Sequence, residues 1–186
     1  MTKPKKIILG LVGEIASGKD TTAAYLAEKY RSETISFSQP LREILDILGL
    51  PQTRANMAWL GTAARKHFGQ NLLAKVITAK SLGSRAKIVV LPNVRLPQDI
   101  IYLKKIPSFH LVAIEAAPKI RYRRLANRGQ NADDKTKTWK QFLMDSRLAT
   151  EIQIRHIAKQ AEFQLDNNGT FKELHRQIEI LIKKLL

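Results

Sequence analysis

Short, wholly apolar runs alternate along this chain with longer stretches in which apolar residues recur every three or four positions. The first pattern suits strands buried on both faces and the second suits amphipathic helices. Their alternation predicts an α/β domain with a mostly parallel sheet. Ile7 to Val12 reads as the first strand, Lys19 to Tyr30 as the helix after it, and Glu33 to Phe37 as a shorter second strand. Pro40 suits the first turn of a helix reaching about Leu48, where Gly49 and Pro51 stop it. A helical zone from Thr53 to Leu82 is expected to break around Gly61 and Gly69. Ala86 to Leu91 and Phe109 to Glu115 read as strands, with a helix from Asp99 to Lys105 between them. Lys119 to Arg128 and Thr138 to Gln160 read as helices, Phe163 to Leu165 as a last strand, and Phe171 to Leu185 as a last helix. The polar stretch 129–137, GQNADDKTK, fits either a lid or a plain surface loop.

Composition narrows this picture. The 186 residues suffice for one domain with a sizeable core, and 44% apolar content is that of an ordinary globular chain. No cysteine is present, which excludes disulfides and thiolate metal sites and fits a reducing cytoplasm. The four histidines are scattered, so no zinc site is expected. No apolar stretch approaches the ~20 residues that cross a bilayer, so no membrane partner is expected. The opening MTKPKKIILGLVG superficially resembles a secretion signal, but Glu14 interrupts the run and a buried strand is the better reading. Charge changes more. With 32 Lys and Arg against 16 Asp and Glu, the formal charge is +16. Such a field favours nucleic acid, anionic surfaces or phosphate-rich small molecules, although a merely solubilising surface would carry it too.

The chemistry concentrates in GEIASGKDT, residues 13–21. Gly13, Gly18 and Lys19 meet the pattern G-x-x-x-x-G-K between a predicted strand and a predicted helix, the context a phosphate-binding loop requires. Such a loop turns tightly, presents backbone N–H groups of residues such as Ala16 and Ser17 to phosphate oxygens, and adds the positive end of the next helix. Lys19 would reach the terminal phosphates, so ATP is the expected cofactor. One position departs from the pattern. Asp20 stands where a Ser or Thr would ligate Mg²⁺, with Thr21 and Thr22 following. Asp20 and Thr21 offer hard oxygen donors to Mg²⁺, while Asp20 would also be a favourable charge in a first helical turn.

GLVGEIASGKDT, ISFSQPLREIL, LGTAARKHFG, PNVR, RYRRLANR and AEFQLDNNGTFKEL fall in one order along nearly the whole chain. That order resembles the P-loop nucleoside monophosphate kinases, nearest to the dephospho-coenzyme A kinase-like and deoxynucleoside monophosphate kinase-like branches. The resemblance implies a three-layer α/β/α fold over residues 1–186, with a five-stranded parallel sheet, an acceptor-binding region at 53–82 and a lid at 119–137. It implies acceptor-phosphate contacts from Arg42 and Arg65, and places Arg95 at the carboxyl edge of the third strand, for both acceptor binding and catalysis. Arg121, Arg124 and Arg128, spaced by three and four, would share the face of a lid helix, with Arg124 and Arg128 catalytic beside Lys19. A solvated basic face would show the same spacing. Asn168 and Gly169 stand where the family's loop lies against adenine, and an Asn-Gly pair is also an ordinary turn.

Two acids of the family pattern are absent. Ser36, Ser38 and Gln39 follow the second strand, and Pro92 and Asn93 end the third. Transfer to a hydroxyl commonly uses a carboxylate base, whereas transfer to a phosphate needs none. The expected acceptor is therefore a nucleoside monophosphate, with dephospho-coenzyme A as the alternative. Glu115 would approach the loop if the fourth strand neighbours the first, and would otherwise be a strand-end charge. A degenerate nucleotide-binding module that binds RNA is the rival from another class. Against it, aromatics make up only 6% of the chain, and Trp59 and Trp139 are expected to pack on helix faces.

Overall fold

A computed structural model describes residues 6–128 and 136–186. The elements in chain order are β1 (Ile7–Val12), α1 (Lys19–Tyr30), β2 (Glu33–Thr34), α2 (Gln39–Ile47), α3 (Arg54–Phe68), α4 (Leu72–Gly83), β3 (Ile88–Pro92) and α5 (Pro97–Leu103). They continue with β4 (Phe109–Glu115), α6 (Pro118–Arg128), α7 (Trp139–Asp145), α8 (Ala149–Ala158), β5 (Phe163–Asp166) and α9 (Phe171–Leu185). The five strands form one parallel sheet in the order β2-β3-β1-β4-β5.

Strand alternation divides the core into two layers. Ile8 and Val12 of β1, Val89 and Leu91 of β3, and Leu111 and Ala113 of β4 face α4, α5 and α8. Ile7, Leu9 and Leu11, with Ile88, Val90, Val112 and Ile114, face α1 and α9. Each fully buried aliphatic chain contributes about 1.5–3 kcal/mol, so the two faces hold the sheet between helices. Gly10 is the exception in β1. A Cβ there would stand 2.6 Å from the Phe109 ring, so the glycine admits that ring against the strand.

This order puts the change of winding direction at β1, between β3 and β4, and the crevice at such a point is where ligands of open α/β sheets bind.

Beyond shifts of one or two residues, three elements differ from the pattern-based expectation. The second strand covers Glu33–Thr34 alone, because the chain turns at Ser36, whose carbonyl accepts from Gln39 N–H, and enters α2. Helix α3 runs unbroken through Gly61. That glycine serves packing, since a Cβ would lie 3.2 Å from Leu41 Cδ1 and 3.4 Å from Arg65 Nη1. The long helix expected over 138–160 is two helices, α7 and α8, separated by turns at Ser146 to Leu148. Trp139 packs with Tyr122 and Phe142, whereas Trp59 is 71% exposed, contrary to its expected packing. Among the described residues no helix is long and apolar enough to cross a membrane.

Candidate phosphate-binding site

The chain between β1 and α1 forms a tight loop whose shape depends on its small residues. Ala16 has φ 59° and Gly18 φ 108°, the left-handed region that favours glycine at the second position. A Cβ on Gly13 would meet the Ile114 carbonyl oxygen at 2.4 Å, and one on Gly18 would meet Asn167 Nδ2 at 2.0 Å. The loop therefore lies close against β4 and the segment after β5. No side chain caps α1, whose positive end faces the loop. Lys19 is buried and its Nζ donates to the carbonyls of Gly13 (2.7 Å) and Glu14 (3.0 Å).

Helices α6 and α8 grip this loop from outside. Arg121 is 2% exposed; its Nη2 pairs with Glu14 Oε2 at 3.0 Å. Its Nε donates to Ala116 O (3.0 Å) and its Nη1 to Ile15 O (3.4 Å). Burial pushes the Arg121 guanidinium below its ordinary range, and the Glu14 carboxylate opposes that. Arg155 of α8 donates to the other Glu14 oxygen at 2.8 Å and to Ser146 O at 2.8 Å. Ala16 packs with Leu125 and Phe142, so the loop also touches α6 and α7 through an apolar contact.

On the opposite side, Asn167 ties the loop to the end of β5. Its Nδ2 donates to Ser17 O at 2.8 Å, and its Oδ1 accepts from Arg124 Nη2 at 3.3 Å. A cavity of about 330 Å³ opens there, lined by Lys19, Asp20, Thr21, Arg124, Asn167 and Phe171. Arg124 lines this cavity, and its Nη1 is buried without a partner. Asp20 and Thr21 bring a carboxylate and a hydroxyl to the same cavity as Lys19, a hard-oxygen donor set that fits Mg²⁺ completed by phosphate and water. A second cavity, about 410 Å³, lies on the Glu14 side, where Glu115, Arg121, Arg155 and Lys159 meet.

The predicted arginine face thus divides. Arg121 is committed to Glu14 and the loop carbonyls, Arg124 faces the cavity beside Lys19, and the Arg128 side chain, with the stretch 129–135, lies outside the described residues. Asn168 and Gly169 form a turn: Asn168 Oδ1 accepts from Ala117 N–H at 2.6 Å, and a Cβ on Gly169 would stand 2.1 Å from Glu173 Oε2. The residue against the loop is their neighbour Asn167. Arg42 is exposed and donates to Gln52 at 3.0 Å, while Arg95 is exposed and 3.5 Å from Asn93 Oδ1. Arg65 is half-buried, and its Nε has no partner. Glu115 does lie beside the loop, since β4 neighbours β1.

Sequence reasoning missed Asn167, Arg155 and Asp99. Asn167 was legible only as part of the NNG turn, and Arg155 is one cation among many. Asp99, in the first turn of α5, is 2% exposed and its Oδ1 has no donor. Burial raises its carboxyl to about 6 against the pull of Arg65.

Residues 12–140 match the family whose description is "AAA domain", AAA_17. A UPF0200 protein of Pyrococcus horikoshii is 30% identical over 97% of this chain and 98% of its own, and one of Pyrococcus abyssi is 28% identical over 97% of both. Among solved structures, TT1252 from Thermus thermophilus superposes with a TM-score of 0.65 at 18% identity, covering 97% of this chain and 98% of that one. A shikimate kinase from Bacteroides thetaiotaomicron superposes with a TM-score of 0.61 at 13% identity, covering 96% and 98%. These likenesses place the fold among the P-loop kinases.

Proposed function

This chain belongs to the AAA domain family AAA_17 and to the UPF0200 proteins, and from that premise we propose that it is an ATP-dependent phosphotransferase acting on a (deoxy)nucleoside monophosphate. The observation that carries this reading is the cavity where Lys19, the loop, Asp20, Thr21 and the unpartnered Arg124 nitrogen converge. Triphosphate binds along the loop, Lys19 leaves its carbonyl partners for the terminal phosphates, and Arg124 brackets phosphate oxygens. The nucleobase lies toward Asn167 and Phe171, with Asn168 and Gly169 shaping that turn. Mg²⁺, held by Asp20 and Thr21, supplies charge neutralisation when bound.

An acceptor phosphate oxygen attacks the γ-phosphorus, the bond to the β-phosphate oxygen breaks, and a nucleoside diphosphate and ADP result. No proton must be removed. This suits a chain with Ser36 and Ser38, 3.2 Å apart, after β2, with Pro92 ending β3 and Asn93 following it. Arg42, Arg65 and Arg95 belong to the acceptor side, with 53–82 as its helical region and 119–137, including Arg128, as the lid of a single domain. Dephospho-coenzyme A is the alternative acceptor. The cysteine-free composition suits action in the cytoplasm.

A second reading, a nucleotide-regulated module that binds RNA, is favoured by the +16 charge together with the exposed rings of Trp59 and Phe171. A coupled ADP-release assay over monophosphates and dephospho-coenzyme A separates the readings. Turnover with monophosphates, abolished in Lys19→Ala, is expected. Phosphorylation of dephospho-coenzyme A alone overturns the acceptor, and zero turnover with steeply salt-sensitive RNA affinity favours the module.

A further inference from the structure

The cavity beside Lys19 carries one large exposed ring. Phe171, the first residue of α9, lines the same 330 Å³ space as Lys19, Asp20 and Thr21 and is 67% exposed. A phenyl ring at the start of a helix, with so little packed around it, ordinarily turns among its staggered rotamers. Here it is backed by a second ring. His175, one turn further along α9, stacks with it at a centroid distance of 6.4 Å and an angle of 28° between the planes.

The stack continues onto another helix. The Tyr25 ring of α1 lies on His175 at 3.7 Å, with the planes 7° apart. Lys29 Nζ stands 5.6 Å from the Tyr25 centroid, within reach of a cation–π attraction. Glu179 of α9 accepts from the Tyr25 hydroxyl at 2.5 Å and pairs with Lys29, so the outer end of the series is fastened to both helices. A chain of contacts therefore runs from Lys29 through Tyr25 and His175 to Phe171, beginning on α1 and ending in the cavity. The first turn of α1 supplies Lys19, Asp20 and Thr21 to that cavity. Its second turn supports the ring on the α9 side. One helix thus serves two parts of the same space.

We infer that Phe171 is the stacking surface for the nucleobase of the bound triphosphate, and that His175 and Tyr25 are positioning residues that hold its ring ready for that base. The inference rests on the reading of this cavity as the triphosphate site. It goes further by giving a part in ligand binding to a histidine and a tyrosine that do not line the cavity at all. Stacking is tolerant of base identity, because every base has a π face. The column therefore selects a ligand with a base over one without, while the loop and Lys19 read the phosphates by charge.

Two probes separate the ends of the ligand: ATP, and inorganic tripolyphosphate, which has no base. In calorimetric titrations Phe171→Ala should weaken ATP binding about 10- to 100-fold and leave tripolyphosphate binding within about twofold of the wild type. His175→Ala should weaken ATP binding alone, by about 3- to 10-fold, and His175→Phe, which keeps a ring in the column, should restore it. A general loosening of α9 would instead weaken both probes. If His175→Ala weakens both alike or leaves ATP binding unchanged, or if His175→Phe recovers nothing, the inference is overturned. In aromatic NMR of the wild type, the Phe171 ring protons should move upfield with ATP and much less with tripolyphosphate. Equal responses to the two probes would also overturn it. Absence of phosphoryl transfer in the coupled assay defeats the proposed function, whereas the comparison of ATP with tripolyphosphate decides the present inference without any turnover.

Discussion

Single residues carry three measurable consequences. The Asp99 carboxyl sits at about 6 in the fold against an ordinary 3.8, so between those values the native state keeps a proton that the unfolded chain has released. Stability contributed by this group therefore falls as pH rises through that window and stays lower above it, by about 2–3 kcal/mol. Asp99→Asn should raise the urea midpoint at pH 7 and leave it nearly unchanged at pH 4. A lower midpoint at pH 7 would contradict the assignment of burial as the dominant cause. Glu14→Gln strands Arg121, 2% exposed, without its counter-charge. Removing one partner of a buried pair costs about 3–5 kcal/mol; with Glu14 partly exposed and Arg121 still bonded to two carbonyls, about half of that is expected in denaturant unfolding. Asn167→Ala removes the hold on Ser17 O and the Arg124 contact together. ATP affinity, followed by calorimetry, should fall about 10-fold, the equivalent of one buried hydrogen bond to a charged or backbone group.

At the scale of elements, the helix starts illustrate how much local chemistry is written into the chain. Helix α9 begins with a capping box in which Thr170 Oγ1 accepts from Glu173 N–H at 3.3 Å and Glu173 accepts from Thr170 N–H at 2.6 Å. Thr170→Ala should lower stability by about 1 kcal/mol, read as a lower denaturant midpoint. The bounds of β1, β4 and α9 were legible from periodicity, since the two strands are almost continuously buried and α9 is capped and amphipathic, whereas the start of α1 was legible from the loop motif before it. Where the pattern misled, tertiary contact decided. Gly61 signals a helix break in isolation, yet Leu41 and Arg65 fill the space it leaves. The same limit applies to the site. The loop was legible because glycines and Lys19 sit at a fixed spacing. Its fastenings were not, because Glu14 is more than a hundred residues from Arg121 and from Arg155 and nothing local marks them as partners.

For the whole molecule, the dominant property is charge. A +16 chain attracts phosphate-rich ligands from a distance, and that attraction is screened as the Debye length shrinks from about 30 Å at 0.01 M salt to about 3 Å at 1 M. Stopped-flow association of a fluorescent ATP analogue should slow markedly across that range, with dissociation changing much less. Equal salt sensitivity of both rates would mean that the charge acts within the cavity and not at long range.

The fastening of the loop has a further consequence, in the order of synthesis. Residues 13–21 leave the ribosome long before Arg121, Arg124, Arg155 and Asn167, the side chains that hold them or line their cavity. A nascent chain that has not reached residue 167 has the glycines and the lysine but lacks their scaffold. On the proposed function, nucleotide capture is then expected only of a chain that has passed residue 167, so that ATP would report completion of the fold instead of assisting its first steps.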